Sequence, residues 1–364
     1  MSSYPQSFEY PFTIRCVAAS EDALFVGTFR SSYVNEPDNC ARRLDKNFRE
    51  IWKFPLKYDP LQIASALNYV IILTHNFFPG NGILYCLDQS SGLCVWKKNV
   101  SGLSVSSELC ILEDDVLLFG ESEIVKYSIK KGERLCSANH INYLNSAKIS
   151  NGSIISSSRT SLAKFRSDDL TQEWIVEGLY EPWGFGCDVE HAYVSKDQKL
   201  AAYDLKTGVP SGQVEMNAIL AILGDGDHLY FHSEHDNNEK YVVSCYSKVA
   251  KRPVWHSEVP ISIGNVNYTP RPEFLTEKAV VFRANEGPVY ALDKTTGDVS
   301  LLLSESNMPN NRFPTANSPP LFAFQGWIFI QYGKTIYMIA EFPSSALGSK
   351  ILDAEKVSWM QLQN

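Results

Sequence analysis

A strand–turn–strand segment recurs along this chain, and it restricts the possible folds more than any other feature. The clearest copies join an apolar strand, an Asp, a short turn and a Gly to a second strand, and they lie at residues 84–96, 200–208 and 289–299. We predict that the Asp carboxylate accepts hydrogen bonds from the turn amides and that the Gly supplies a positive φ. Each copy is therefore a predicted β-hairpin.

Weaker copies keep the hairpin without the consensus letters, at residues 40–52, 124–136, 162–174, 241–255 and 335–340. Two further apolar strands precede each copy, so one repeat supplies four strands. The repeats are spaced by roughly 38–47 residues, which is typical of propeller blades. We predict an all-β, single-domain, eight-bladed β-propeller with four antiparallel strands per blade, and seven blades as the alternative. The expected blades are about 12–56, 57–100, 101–140, 141–178, 179–216, 217–259, 260–305 and 306–364.

Four tryptophans follow the Asp position of the repeat at a nearly constant distance; they are Trp52, Trp96, Trp174 and Trp255. We expect their large apolar rings to fill the gaps between neighbouring blades. Two segments could complete the last blade. One is residues 356–362, which contain a Trp in similar register, and the other is residues 8–12, which would join the first blade to the last.

The repeat resembles the pyrroloquinoline-quinone repeat of quinoprotein dehydrogenases, whose signature is aliphatic-Tyr-Ala-Leu-Asp-x-x-Thr-Gly-x-x-x-Trp. Residues 289–297 match it nearly letter for letter, and six of the eight copies, including residues 200–208, are eroded relative to this signature. The resemblance implies the propeller fold and says little about activity, because the signature encodes the hairpin and the contact between blades. The adjacent cysteines and calcium-binding set of the quinone enzymes have no counterpart here. We therefore expect no cofactor, and a quinone-dependent dehydrogenase is the least favoured function.

Composition narrows the classes of partner. The net charge of −8 and the absence of a basic run argue against nucleic-acid binding. No apolar stretch approaches the ~20 residues of a membrane span. The first residues lack the pattern of a secretory signal, so we expect a cytoplasmic protein whose eight cysteines are free thiols. Cys86 and Cys94 could face each other across a hairpin, and we favour two thiols there as well.

No metal site is expected. His228 and His232 would share one face of a strand, but they would lie ~13 Å apart at about 3.3 Å per residue, which is too far for one ion. His235 follows them in a predicted loop.

The irregular loops are the expected location of function, because long loops on a regular scaffold carry binding and catalysis. The longest are residues 30–39, 75–82, 233–240, 260–272 and 306–320. They are aromatic and basic, as the wall of a small-molecule pocket would be. We predict catalytic roles for Arg271, Tyr143 and His75, and substrate binding by Tyr33, Phe77, Phe78, Trp183, Phe185, Tyr268, Arg312 and Phe313. Alternatively, these aromatics cap the blade ends or contact a protein.

Our leading hypothesis is an enzyme without a redox cofactor that binds a hydrophobic small molecule. In architecture and loop character the chain resembles fungal natural-product cyclases that catalyse Diels–Alder-type ring closures, although no catalytic motif matches. Such chemistry needs an apolar cavity and a few hydrogen-bond donors. The alternative is a protein-interaction scaffold, similar in repeat type to bacterial outer-membrane assembly propellers. The oligomeric state stays open.

Overall fold

The computed structural model describes residues 6–10, 12–29, 39–76, 80–104, 107–139, 144–150, 152–158, 160–179, 185–196, 199–215, 219–234, 240–260, 271–283, 288–303, 321–324, 327–332 and 335–341. Strands and turns account for all of the regular structure in these ranges. No helix with the length and apolar character that a membrane crossing requires occurs in the ranges described.

The chain divides into two compact units, and each contains four four-stranded antiparallel sheets. The first unit comprises Met1–His140 and Phe313–Asn364. Its blade 1 contains β2 (Thr13–Ala19), β3 (Ala23–Phe29), β4 (Cys40–Asp45) and β5 (Glu50–Pro55). Blade 2 contains β6 (Asp59–Ala66), β7 (Tyr69–Asn76), β8 (Asn81–Asp88) and β9 (Cys94–Val100). Blade 3 contains β10 (Glu108–Leu112), β11 (Asp115–Phe119), β12 (Glu123–Ser128) and β13 (Arg134–Asn139). Blade 8 contains β30 (Leu321–Phe324), β31 (Trp327–Tyr332), β32 (Thr335–Glu341) and β1 (Gln6–Glu9).

The second unit, Ile141–Arg312, holds blades 4 to 7. Blade 4 contains β14 (Leu144–Ser150), β15 (Ser153–Ser158), β16 (Ser161–Arg166) and β17 (Gln172–Glu177). Blade 5 contains β18 (Phe185–Cys187), β19 (His191–Lys196), β20 (Lys199–Asp204) and β21 (Pro210–Glu215). Blade 6 contains β22 (Ile219–Asp225), β23 (His228–Glu234), β24 (Lys240–Ser247) and β25 (Arg252–Pro260). Blade 7 contains β26 (Arg271–Leu275), β27 (Ala279–Arg283), β28 (Val289–Asp293) and β29 (Val299–Leu303).

The eight sheets confirm the predicted all-β, eight-bladed β-propeller, and the alternative of seven blades is wrong. Within each unit, buried apolar clusters lie between successive sheets. Phe25 of blade 1 shares a cluster with Ile72 of blade 2, and Ile155 of blade 4 shares one with Val194 of blade 5. Burial of apolar faces between neighbouring sheets therefore holds each unit together.

The turn chemistry predicted from the repeat is confirmed. The Asp88 carboxylate accepts hydrogen bonds from the amides of Ser90 and Ser91 at 3.1 and 2.8 Å. Hydrogen bonds from the hydroxyls and amides of these serines, the Ser90 hydroxyl foremost, lower the pKa of Asp88 to about 2. Gly92 follows with a φ of 71°. Blades 5 and 7 repeat the arrangement at Asp204 and Asp293.

The tryptophans fill the gaps between blades as predicted. The Trp52 indole N–H donates to the Gln89 carbonyl of the next blade at 3.0 Å, and the Trp52 ring lies against Gly92. A Cβ at Gly92 would approach that ring to 2.7 Å. The same contact joins each of the other three tryptophans to the following turn, through the carbonyls of Ile129, Leu205 and Lys294. The glycine of the repeat therefore serves both the turn and the contact between blades.

Blade 8 takes its outer strand from the N-terminal segment. β1 pairs antiparallel with β32, with Gln6 opposite Met338 and Phe8 opposite Ile336. This strand runs from Gln6 to Glu9, so it begins and ends earlier than the segment 8–12 expected from the sequence. The other proposed closing segment, residues 356–362, lies outside the described residues.

Candidate functional site

Most of the predicted loop site falls outside the described residues. This applies to Tyr33, Phe77, Phe78, Tyr143, Trp183, Tyr268, Arg312 and Phe313. The backbone of Arg271 begins β26, where it pairs with Arg283 of β27. His75 and Phe185 are the two predicted site residues whose side chains are described.

His75 lies near the end of β7, opposite Asp59 of β6, and its side chain is buried. Burial is the main cause that lowers the pKa of His75, and the positive charge of Arg15 acts in the same direction. A hydrogen bond with the Leu103 backbone and the charges of Glu121 and Asp59 oppose this shift. The imidazole is therefore neutral at pH 7, and it can both donate and accept a hydrogen bond.

An ion pair lies close to this histidine. Arg15 Nη1 of β2 lies 3.7 Å from Asp59 Oδ2, and the Arg15 guanidinium is 5.7 Å from the centre of the Phe29 ring. Blades 1 and 2 thus place a cation, a carboxylate, a neutral imidazole and an aromatic ring at the same ends of their inner strands. This group could orient a polar ligand, and the catalytic role of His75 stays a prediction.

Phe185 occupies a different environment. It begins β18 opposite Val194, and it is buried in the cluster between blades 4 and 5. The Lys148 ammonium lies 5.7 Å from the centre of its ring, a cation–π contact within the fold. The ring therefore packs as a core residue, and its role in substrate binding stays a prediction.

The histidines of β23 differ in environment. His232 is completely buried, and burial lowers its pKa to about 3, which leaves it neutral. His228 is half-buried and stacks on Tyr230 at 6.4 Å. Within the described ranges, no group of three or more His, Cys, Asp or Glu side chains could hold a metal ion.

A second candidate surface was missed by the sequence reasoning. Three turns at one end of blades 5 and 6 carry exposed apolar side chains: Val189, Val209 and Val249 are 66%, 58% and 73% exposed. We call these three residues the valine surface. A backbone hydrogen bond from Leu205 N to Glu190 O at 2.8 Å joins the turns of Val209 and Val189, and a bond from Asp204 N to Val209 O at 3.0 Å closes the turn of Val209. The available signal was the aliphatic residue directly after Gly208, in a turn that is otherwise polar.

A half-buried ion pair supports the valine surface. Lys248 of blade 6 donates to Asp188 of blade 5 at 2.6 Å, and the Tyr193 hydroxyl donates to the same oxygen at 2.8 Å. Burial alone would raise the pKa of Asp188, but these bonds and two backbone amides together hold it below its ordinary value. Val189 and Val249 each follow a member of this pair, so their backbone positions are fixed.

Comparisons with known proteins identify the fold. No family model and no curated protein matches the chain. The computationally designed Ika8 protein is 12% identical with a TM-score of 0.67, over 91% of this chain and 97% of that one. BamB from Moraxella catarrhalis is 12% identical with a TM-score of 0.63, over 92% and 97%. The WD40 domain of SCAP from fission yeast is 11% identical with a TM-score of 0.60, over 93% and 98%.

At these identities the likeness shows the fold alone. BamB is a propeller of the PQQ-like type, so the predicted resemblance is confirmed at the level of the fold. None of these structures supports the more specific resemblance to natural-product cyclases.

Proposed function

We propose that this chain is a protein-interaction scaffold that binds a partner through the valine surface of blades 5 and 6. The observation that carries the proposal is the exposure of Val189, Val209 and Val249 on hydrogen-bonded turns. Apolar side chains that are more than half exposed add little to folding, whereas they gain free energy when a partner removes them from water. Single exposed valines are ordinary, but three on connected turns form a candidate contact area.

The supporting ion pair favours the same function. Binding costs less conformational entropy when the contact residues are already held in place. Asp188, Lys248 and Tyr193 fix two of the three turns through hydrogen bonds of 2.6 and 2.8 Å. The named likenesses agree with a scaffold role, since one of them is a WD40 domain.

The test replaces all three valines by serine in the full chain and compares proteins captured from a native extract. The control carries Ile51→Ser, Val95→Ser and Leu135→Ser, which alter similarly exposed residues on outer strands of the first unit. A partner should be captured by the native chain and the control but not by the valine variant. With the purified partner, Kd should rise at least about 10-fold, equivalent to 1.4 kcal/mol. Equal capture by all three proteins would refute the proposal.

The cyclase hypothesis is the second candidate, and it draws on one described feature, the neutral His75 beside the Arg15–Asp59 pair. A buried neutral imidazole can polarise a substrate carbonyl without a change of charge. If the chain is such an enzyme, His75→Gln and Arg271→Ala should each abolish turnover while the thermal midpoint stays near that of the native chain. Full activity in both variants would remove this candidate.

A further inference from the structure

The outer strands of the blades differ in how their open edges are protected. In blades 1 to 6 the pairing with the third strand shifts close to the turn and skips one residue of the outer strand. The skipped residues are Ile51, Val95, Leu135, Glu173, Ser211 and Val254. Such a shift increases the local twist and turns an edge away from further pairing.

Blade 7 lacks this shift near its turn. Val299, Ser300 and Leu301 of β29 pair regularly with Leu292, Ala291 and Tyr290. The register shifts only beyond Leu301, at the far end of the strand. Counted along the sequence from the positive-φ residue of the turn, the fourth residue is Leu301 in blade 7 and the tryptophan that donates to the next blade in blades 1, 2, 4 and 6. The first part of β29 is therefore a regular edge.

The residue types of β29 differ as well. Every other outer strand contains a charged residue, and examples are Glu9, Lys53, Lys97, Arg134, Glu173, Glu215 and Glu258. Charged residues and prolines on an edge strand discourage pairing with other chains. β29 has the sequence VSLLL and contains neither. It is the only outer strand in the described part of the chain without this protection.

Three successive side chains of β29 are exposed, those of Val299, Ser300 and Leu301. Val299 and Leu301 lie two residues apart and are 37% and 55% exposed, so one face of the edge is apolar. In the described ranges, β29 stands at the end of its sheet, with β28 on its inner side.

We propose that the open edge of β29 binds a short, extended, uncharged apolar segment of a partner protein as an additional strand. Main-chain hydrogen bonds would supply affinity, and Val299 and Leu301 would select β-branched or aliphatic residues opposite them. A partner of this chemistry fits because the edge offers no charge to attract a charged segment. The inference rests on the proposed scaffold function and assigns it a second surface.

The size of the edge favours a peptide segment over a second copy of the chain. The regular part of the edge, residues 299–301, spans roughly 10 Å at about 3.3 Å per residue, which suits one short segment. One added strand buries far less than the ~1,200 Å² typical of stable interfaces between folded proteins.

The first experiment measures binding of a fluorescein-labelled heptapeptide of alternating Thr and Val to the full chain by fluorescence polarisation. Leu301→Lys places a charge on the exposed edge, and we expect it to weaken binding at least 10-fold. The matched control is Leu135→Lys on β13, where a similarly exposed leucine lies at a register shift. Binding to this control should be unchanged. No binding by the native chain, or equal binding by both variants, would overturn the proposal.

The second experiment tests whether the peptide pairs as a strand. Two peptides carry N-methyl groups on alternate amides, one on the odd and one on the even positions. Because a strand directs only alternate amides toward its neighbour, one peptide should lose binding and the other should keep it. Equal affinities would contradict strand addition. Light scattering tests whether the native chain forms a dimer. A dimer that Leu301→Lys abolishes would mean that the edge binds a second copy of the chain, and the proposed partner segment would be rejected.

The experiments distinguish a failure of the valine surface from a failure of the β29 edge. The variant with serine at positions 189, 209 and 249 should bind the heptapeptide like the native chain. Peptide binding without any valine-dependent partner would leave the β29 edge in place and reject the valine surface. A partner that depends on the valines, found without any peptide binding, would support the valine surface and reject the β29 edge.

Discussion

The indole N–H of Trp255 donates a 2.9 Å hydrogen bond to the carbonyl of Lys294, which lies 39 positions later and in the next blade. The ring of the same tryptophan lies against Gly297. One side chain therefore joins two blades through both a polar and an apolar contact. This relationship recurs at Trp52, Trp96 and Trp174, and it leads to two predictions about stability.

The glycine that meets each tryptophan should not tolerate a Cβ. At Gly208 a Cβ would lie 2.8 Å from the Trp174 ring, and φ is 72°. Gly208→Ala should destabilise the fold by about 2–5 kcal/mol, from left-handed strain and from the clash. Gly226→Ala is the matched control, because its φ is 49° but no atom lies within 4 Å of the added Cβ. It should cost about 1–2 kcal/mol. Urea unfolding measures both, and equal losses would mean that the ring contact has no effect.

The hydrogen bond of Trp255 can be separated from its packing. Trp255→Phe keeps most of the ring but leaves the Lys294 carbonyl without its indole donor, so about 1 kcal/mol should be lost. Trp255→Ala also opens a cavity and should cost about 3–5 kcal/mol. Thermal unfolding ranks the two variants. A phenylalanine variant as stable as the native chain would show that the hydrogen bond contributes nothing.

His232 should make stability depend on pH. Burial lowers its pKa to about 3 in the folded state, below its ordinary value of 6.5. Between these values the unfolded chain binds a proton that the folded chain excludes. Stability is therefore complete above pH 6.5 and falls as the pH decreases toward 3, by up to about 1.4 kcal/mol per pH unit.

The measurement compares urea unfolding at pH 7 and pH 5 for the native chain and His232→Leu. The variant should lose less stability over this range than the native chain. Val243→Ala, which lies opposite His232 on β24 and removes no titratable group, serves as the control and should keep the native dependence on pH. Identical slopes for all three would contradict the prediction.

The Asp188–Lys248 pair should make the stability of the fold depend on pH in a lower range than His232 does. The folded state holds the pKa of Asp188 below its ordinary value of 3.8, since hydrogen bonds from Lys248, two amides and Tyr193 outweigh burial. This stabilisation is fully present above the pKa that Asp188 has in the unfolded chain. It is lost as the pH falls through the lower pKa of the folded state. Asp188→Asn should flatten the loss of stability below pH 4. Its coupling with Lys248→Met in a double-mutant cycle checks the assignment, and additive effects would contradict it.

The fold was predictable because its determinants are local and repeated. Asp88, Gly92 and Trp96 belong to one hairpin, and their chemistry can be recognised from spacing alone. The outer strand of blade 8 was left open between two segments, because its pairing is non-local and the strand Gln6–Glu9 is short. No local pattern selects its partner.

The candidate surfaces were harder to predict. The repeat constrains turns and contacts between blades, whereas the exposure of Val209 depends on what surrounds a turn in space. The edge of β29 had a readable signal, since Leu301 occupies the tryptophan position, but only the observed register shows that the neighbouring shift is missing. The aromatic loop residues proposed from the sequence lie mostly outside the described ranges, so their grouping stays a prediction.

The pairing of Gln6 with Met338 has a consequence for synthesis. At about 5–20 residues per second, the N-terminal strand waits roughly 20–70 s for its partner to be translated. During this time the apolar residues that will cover blade 8 have no sheet to join, and β32 has no outer neighbour when it emerges. We expect folding intermediates to expose both segments, so that chaperones and proteases would act at this sheet first.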